Sequence, residues 1–159
     1  MAIADYVGRT FDLLALRGAK ATGDTLLSQS LFGPTAAGEV CTGAQKVSQR
    51  WAIKFLTRKG SRLFRPDDGC HFIDQARNAG FRTEVDVQIA FQMASADVDT
   101  QMRNEDTPDM NPEDRFDVSA LLSITIRGDS LSLHVQITTA AGTTRRVILP
   151  VSLLPIALT

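Results

Sequence analysis

The chain has 159 residues, 43% of them hydrophobic and 22% charged, with 17 Lys and Arg against 18 Asp and Glu, for a net charge of −1. This is the composition of one soluble globular domain, or one domain with a tail, and it gives no overall excess of charge to draw the chain to nucleic acid or an anionic membrane. No apolar run approaches the roughly 18 residues of a membrane span, and MAIADYVGRTF lacks the basic-then-apolar order of a signal peptide. Two cysteines, Cys41 and Cys70, are too few for a disulfide scaffold, so a reducing cytoplasm is the expected place of synthesis.

Residues 1–38 are weakly patterned and read as an extended, loop-rich arm. Within them, Arg9 to Leu16 suits a strand, and Gly18, Gly23, Gly33, Pro34 and Gly38 interrupt anything longer. Residues 39–159 read as one α+β domain. Thr42 to Thr57 has helical spacing: Ala44, Val47, Trp51 and Phe55 recur on one face, while Lys46, Gln49, Arg50 and Lys54 are expected to face away. Thr42 is a candidate N-cap and Gly60 the stop. Ser61 to Arg65 suits a short extended segment, Pro66-Asp67-Asp68-Gly69 a turn, and Ile73 to Ala79 a short helix ended by Gly80.

Glu84 to Glu105 carries two signals. Val85, Val87, Ile89, Phe91 and Met93 alternate as in a strand, but the run is rich in helix formers, and Thr83 with Asp86 resembles a capping box. A strand would also end within about ten residues. Composition, cap and length together predict a helix over this run.

Residues 116–151 predict a three-stranded antiparallel meander with one apolar face, covered by the two main helices. Gly128-Asp129 supplies a two-residue turn of type II′. That turn pairs Ile126 with Leu131, Ile124 with Leu133, Leu122 with Val135 and Ala120 with Ile137. Ala140-Ala141-Gly142 supplies a three-residue loop that sets Val135 opposite Val147 and Leu133 opposite Leu149. The outer strands of such a meander expose backbone edges. Thr143 to Val151 is the edge expected to stay open, with Arg145-Arg146 discouraging self-aggregation, Pro150 limiting pairing at its end, and Arg9–Leu16 free to cover the other edge. The tail from Val151 to Thr159 is apolar enough to need a partner or a fold-back.

Charge is segregated along the chain. Lys46, Arg50, Lys54, Arg58, Lys59, Arg62 and Arg65 occur between Val40 and Pro66 with no acid. Asp97 to Asp117 holds eight acids against Arg103 and Arg115. Such segregation suits a subunit with different neighbours on two sides, or two stretches that face each other, and the second is the plainer reading.

Catalytic signals are weak. Cys41, Cys70, His71 and His134 lack the spacing of a zinc site, and His134 falls on the polar side of its strand, away from either thiol. Nothing marks one pair among Glu84, Glu105 and Glu113 for glycoside hydrolysis. Phosphate-binding glycine motifs are absent. No enzyme activity, cofactor, metal or nucleic-acid partner is expected, although TRKGSRLFR (57–65) has the cations for a phosphate contact.

Two stretches, in order, resemble one family. FLTRKGSRLFRPDDGC (55–70) is similar to the LxTxxGxRxxxPxxG segment of the baseplate wedge and sheath-initiator family of contractile phage tails, once labelled lysozyme-like, through Leu56, Thr57, Gly60, Arg62, Pro66 and Gly69. Ser61 stands where the family usually has Glu. NPEDRFDVSALLSITI (111–126) is similar to the Glu-Pro-Arg segment and following strand, with Glu113 and Arg115 kept and Asp114 in place of Pro. The similarity spans about residues 40–151. It implies a structural protein of the virion tail baseplate, assembled in the host cytoplasm. Its implied partners are the baseplate wedge proteins and the tail sheath protein, with the tail tube nearby and multiple copies in a sixfold ring. It implies docking on wedge proteins through Glu113 and Arg115, and sheath initiation by strand addition. The candidate partner-binding residues are Glu113, Arg115 and Arg62, with Thr143, Arg145, Val147 and Leu149 on the edge expected to be open.

Overall fold

The computed structural model describes residues 8–13, 16–18, 24–27, 40–78 and 81–153. The strands are β1 (Asp12–Leu13), β2 (Leu16–Gly18), β3 (Asp24–Leu27), β4 (Val40–Cys41), β5 (Phe116–Arg127), β6 (Ser130–Thr139) and β7 (Thr144–Ser152). The helices are α1 (Gly43–Leu56), α2 (Phe72–Asn78) and α3 (Glu84–Glu105). The architecture is α+β, with β5, β6 and β7 forming the antiparallel meander against the helices.

The core lies between the sheet and α1 and α3. From α1, Val47, Trp51 and Phe55 point inward, with Trp51 stacked on Phe55 at 4.9 Å between ring centres. Phe91, Val98 and Met102 of α3 meet them, and Leu131, Leu133, Val135, Ile137, Val147 and Leu149 close the core from β6 and β7. The capping box at Thr83 and Asp86 is formed, and α3 runs from Glu84 to Glu105 as its composition and cap predict. The strand-like alternation in its first half arises because Val85, Ile89 and Met93 face solvent while Val87 and Phe91 face the core.

The predicted register holds near the Gly128-Asp129 turn, where Ile126 pairs with Leu131 and Ile124 with Leu133. It then changes. A bulge between Leu121 and Ser123 sets Leu121 opposite Val135 and Ser119 opposite Ile137, in place of the expected Leu122 and Ala120. The extra residue exchanges the two faces of the strand beyond it. Ser119 turns inward and donates its hydroxyl to the buried Asp99 carboxylate at 2.8 and 3.0 Å, while Trp51 Nε1 donates to the same group at 2.8 Å. In the expected register Asp99 would lose the Ser119 donor, and a buried charge with too few donors is costly. Val118, Ala120 and Leu122 are left on the exposed side.

A second departure concerns the edges. The strand order is β2-β3-β7-β6-β5, so the meander is widened to five strands. β3 runs parallel to β7, setting Asp24 opposite Arg146, Thr25 opposite Val147 and Leu26 opposite Ile148. The edge expected to be open along Thr143–Val151 is therefore covered by β3 at its centre, from Arg146 to Ile148. Within the Arg9–Leu16 segment, Asp12–Leu13 pairs instead with β4 as a separate two-stranded sheet, and Leu16 opens β2. Parts of the expected arm are thus strands of the domain. Most of residues 1–38, the Gly80 helix stop and the tail beyond Leu153 lie outside the described residues.

The third departure is on α1. Lys46, Gln49 and Lys54 are buried rather than facing away. Carboxylates and hydroxyls replace water around them: Lys54 holds Asp68 and, at 2.9 Å, Glu105, and Lys46 donates to Thr10 Oγ1. The helix spans Gly43–Leu56 with Thr42 and Thr57 as its caps, as expected, so its stop is Thr57 and Gly60 lies beyond it. The basic and acidic stretches do face each other, since Arg50 pairs with Glu105 and Asp106, Arg65 with Glu105 and Lys59 with Asp97.

Candidate functional site

The segment 111–117 connects α3 to β5 and carries the Glu113-Asp114-Arg115 motif. Asn111 caps a single 3-10 turn at Pro112–Asp114 by accepting from Glu113 N at 3.0 Å, and Pro112 opens that turn. The turn points Asp114 inward, where it is fully buried. Its Oδ1 accepts from Gly43 N and, at 3.1 Å, from Thr42 Oγ1, and its Oδ2 accepts from Thr10 N at 3.0 Å. Thr42 has no capping bond of its own. Asp114, 71 residues from Gly43, thus supplies an acceptor for one of the N–H groups left free at the helix start, at the positive end of the helix dipole. Gly43 has φ +61, a left-handed backbone conformation that strains any residue with a side chain, so glycine lets the chain turn into α1 beside Asp114. Burial works to raise the Asp114 pKa, but the donors from Thr10, Gly43 and Thr42 outweigh it and hold the carboxyl below its ordinary value.

Asp114 is therefore an inward anchor between the start of α1 and the segment around Thr10. Its neighbours are left at the surface. Glu113 is half-buried and accepts from Thr143 Oγ1 at 2.9 Å. Arg115 is half-buried, and its Nε is buried without a hydrogen-bond partner. It lines a groove with Arg103, Asp106, Pro108, Phe116 and Ala140. Asp106 anchors this groove by accepting from Phe116 N at 2.6 Å and from Arg50 Nη1 at 2.9 Å.

The other motif residues close the loop between α1 and α2. Arg62 Nη1 donates to Asp68 at 2.6 Å, Gly60 N to Pro66 O at 2.9 Å and Cys70 N to Thr57 O at 3.0 Å. Gly69 has φ +92, and a Cβ there would stand 2.3 Å from Thr57 O, so no other residue fits. Asp68 is held below its ordinary pKa: burial opposes this, but Lys54 and Arg62 prevail.

The remaining candidates are on β7 or beside it. Val147 and Leu149 are buried in the core, and Thr25 of β3 lies opposite Val147. Thr143 serves Glu113, and Arg145 is half-buried opposite Ile137 of β6, its pKa lowered by burial. Of these four, Val147 lies on the stretch of edge that β3 takes, and the Val147 and Leu149 side chains belong to the core rather than to a docking surface.

The longest open edge among the described residues is on β5. Its first part is taken by α3, because Asp99 accepts from Ser119 and Arg103 donates to Asp117 O at 2.8 and 3.2 Å. From Leu121 to Arg127 the side away from β6 carries no strand among the described residues. Arg127 and Ser130 flank a two-residue turn and form a hydrogen-bonded pair, so the N–H groups of Ile124 and Ile126 point outward. This edge could be foreseen as one of the two outer strands, but its selection depends on β3, for which the sequence holds no recognisable signal.

Both cysteines are buried, their pKa values pushed up to about 11 chiefly by burial. Neither should react with a thiol reagent at pH 8 while the protein is folded, and both should react after denaturation. Titration with a colorimetric disulfide reagent checks this. No family model matches the chain, and no curated protein matches it.

Proposed function

We propose that this chain is a structural, non-catalytic component of a contractile phage-tail baseplate. In this reading Glu113 and Arg115 dock on wedge proteins, and the outer edge of β5 accepts a strand from the tail sheath protein, which initiates sheath growth. The carrying observation is that one strand joins both surfaces. Arg115 immediately precedes β5, and the open stretch Leu121–Arg127 ends it. An exposed edge is a liability in a lone domain and a template in an assembly. Multiple copies in a ring within the virion, beside the tail tube, complete the reading. It calls for no cofactor, metal, membrane or nucleic acid.

The docking half is tested by Arg115→Ala. An arginine can hold a partner carboxylate through two parallel bonds. Within this chain the side chain accepts no obligation to a buried partner, since its Nε is unpaired. Binding to the wedge proteins should weaken by about 2–4 kcal/mol, while the thermal midpoint of the free chain changes little. Calorimetric binding and thermal melts of both variants check this. An equal loss in both, or no loss in binding, would count against the role.

A further inference from the structure

Two apolar features are left uncovered by the described residues. One is convex. The loop between α1 and α2 ends in Leu63 and Phe64, 87% and 92% exposed. Its stem is fixed by the bonds from Gly60 N to Pro66 O and from Arg65 N to Arg62 O, 2.9 and 3.2 Å long. Arg62 and Arg65 flank the tip, each giving one nitrogen to a carboxylate of its own chain, Asp68 at 2.6 Å and Glu105 at 3.1 Å. A guanidinium has five N–H donors, so several are left for another acceptor. A tip held in this way loses little conformational freedom on docking.

The other feature is concave. Phe81, Ile89, Ala90 and Met93 line a groove with Arg82 and Asp86 at its mouth. Val85, Ile89 and Met93 form a stripe on successive turns of α3, 61%, 54% and 63% exposed. Glu84 and Asp86 place two carboxylates on the first turn of that helix. Exposed apolar residues scattered singly are ordinary. Here they are gathered into one knob, bordered by Arg62, Arg65 and Asp67, and one groove, bordered by Glu84, Asp86 and Arg82, so the charges around each find opposite counterparts around the other.

We propose that the Leu63–Phe64 tip of one copy seats in the α3 groove of a second copy of this chain, with Arg62 and Arg65 against Glu84 and Asp86. Asp67, exposed beside the tip, is the matching carboxylate for Arg82. The contact is heterologous. Each copy keeps a free knob or a free groove, so the contact extends into a chain or closes into a ring. Two apolar side chains bury far less than a standard interface, so free copies associate weakly and the contact gains strength when copies are held side by side. The inference stands independently of the baseplate reading.

Sedimentation velocity from about 10 μM to about 1 mM, a range that spans weak association, should show a weight-average coefficient rising with concentration. Phe64→Ser and Met93→Ser should each abolish the rise while leaving the circular dichroism unchanged. Mixing Phe64→Cys with Met93→Cys protein under mild oxidation should give several-fold more disulfide-linked dimer than either alone, Cys41 and Cys70 being buried. The proposal is overturned by a flat sedimentation profile without mixed cross-linking. It is equally overturned by association that survives both serine variants. Phe64-dependent binding to phosphatidylserine vesicles without self-association would assign the tip to a membrane instead.

Discussion

Asp114→Ala is expected to lower the unfolding free energy by roughly 3–4 kcal/mol, because it strands several donors at once and removes the charge facing a helix N-terminus. Gly43 N lies at a buried helix start, and Thr10 N and Thr42 Oγ1 lose the same acceptor. The buried Lys46, whose pKa is lowered by burial and then by Arg50, loses a nearby carboxylate that favours its charged form. A domain of this size is stable by only about 5–15 kcal/mol, and the thermal midpoint should fall by roughly 10 °C. Asp114→Asn keeps an acceptor for Gly43 and should cost less. The effect has a defined pH dependence. The folded carboxyl titrates below its ordinary value, so its contribution is complete above the unfolded pKa near 4 and disappears as pH falls through the lower folded value. The stability gap between the native chain and Asp114→Asn should therefore be constant above about pH 5 and shrink toward pH 3. Chemical denaturation at several pH values measures it, and a gap that widens on acidification would contradict the anchoring role.

If the β5 edge templates the sheath as proposed, Ile124→Pro should sharply reduce sheath initiation while leaving the domain folded. The Ile124 N–H points away from β6, so proline there removes no bond of the sheet and interrupts only what an incoming strand would use. The half-buried side chain contributes to the core, so Ile124→Ala is the matched control, each variant costing about 1–2 kcal/mol, below the range for a fully buried site. Loss of one main-chain bond and the steric block of the ring should reduce initiation at least about tenfold. Ser123→Pro points the other way, since Ser123 pairs with His134 and its N–H serves β6, and it should unfold the sheet. Counting sheaths by electron microscopy in a reconstituted assembly separates the three variants. Equal initiation by the Pro and Ala variants would exclude this edge as the template.

What the residues disclosed in advance was local, and what they hid was contact between distant parts. The turn at Gly128-Asp129 fixes the pairing of Ile124 and Ile126 because alternation and turn geometry act within a few residues. Thr83 and Asp86 announce the start of α3 for the same reason. The bulge at Leu122 was not legible, since it answers the need of Asp99, on another element, for the Ser119 hydroxyl. Nor was the pairing of β3 with β7, which joins segments about 120 positions apart through a parallel register with no turn to announce it. At the candidate site, the spacing of Glu113 and Arg115 was visible, but the inward role of Asp114 depends on Gly43 and Thr10 and cannot be read from its neighbours. Lys46 and Lys54 looked like a solvated helix face because a buried cation with its counterion has the same periodicity as an exposed one.

Hydrogen exchange along β5, with and without the tail sheath protein of the same virion, tests the central proposal most directly. In the free chain the amides of Ile124 and Ile126 should exchange readily while those of Leu131, Leu133 and Val135, paired to β7, stay protected. Adding sheath protein should slow exchange at Ile124 and Ile126 and leave β6 unchanged. No added protection between Leu121 and Arg127, or protection appearing instead at Leu16–Gly18 on the opposite edge, would contradict strand addition at β5.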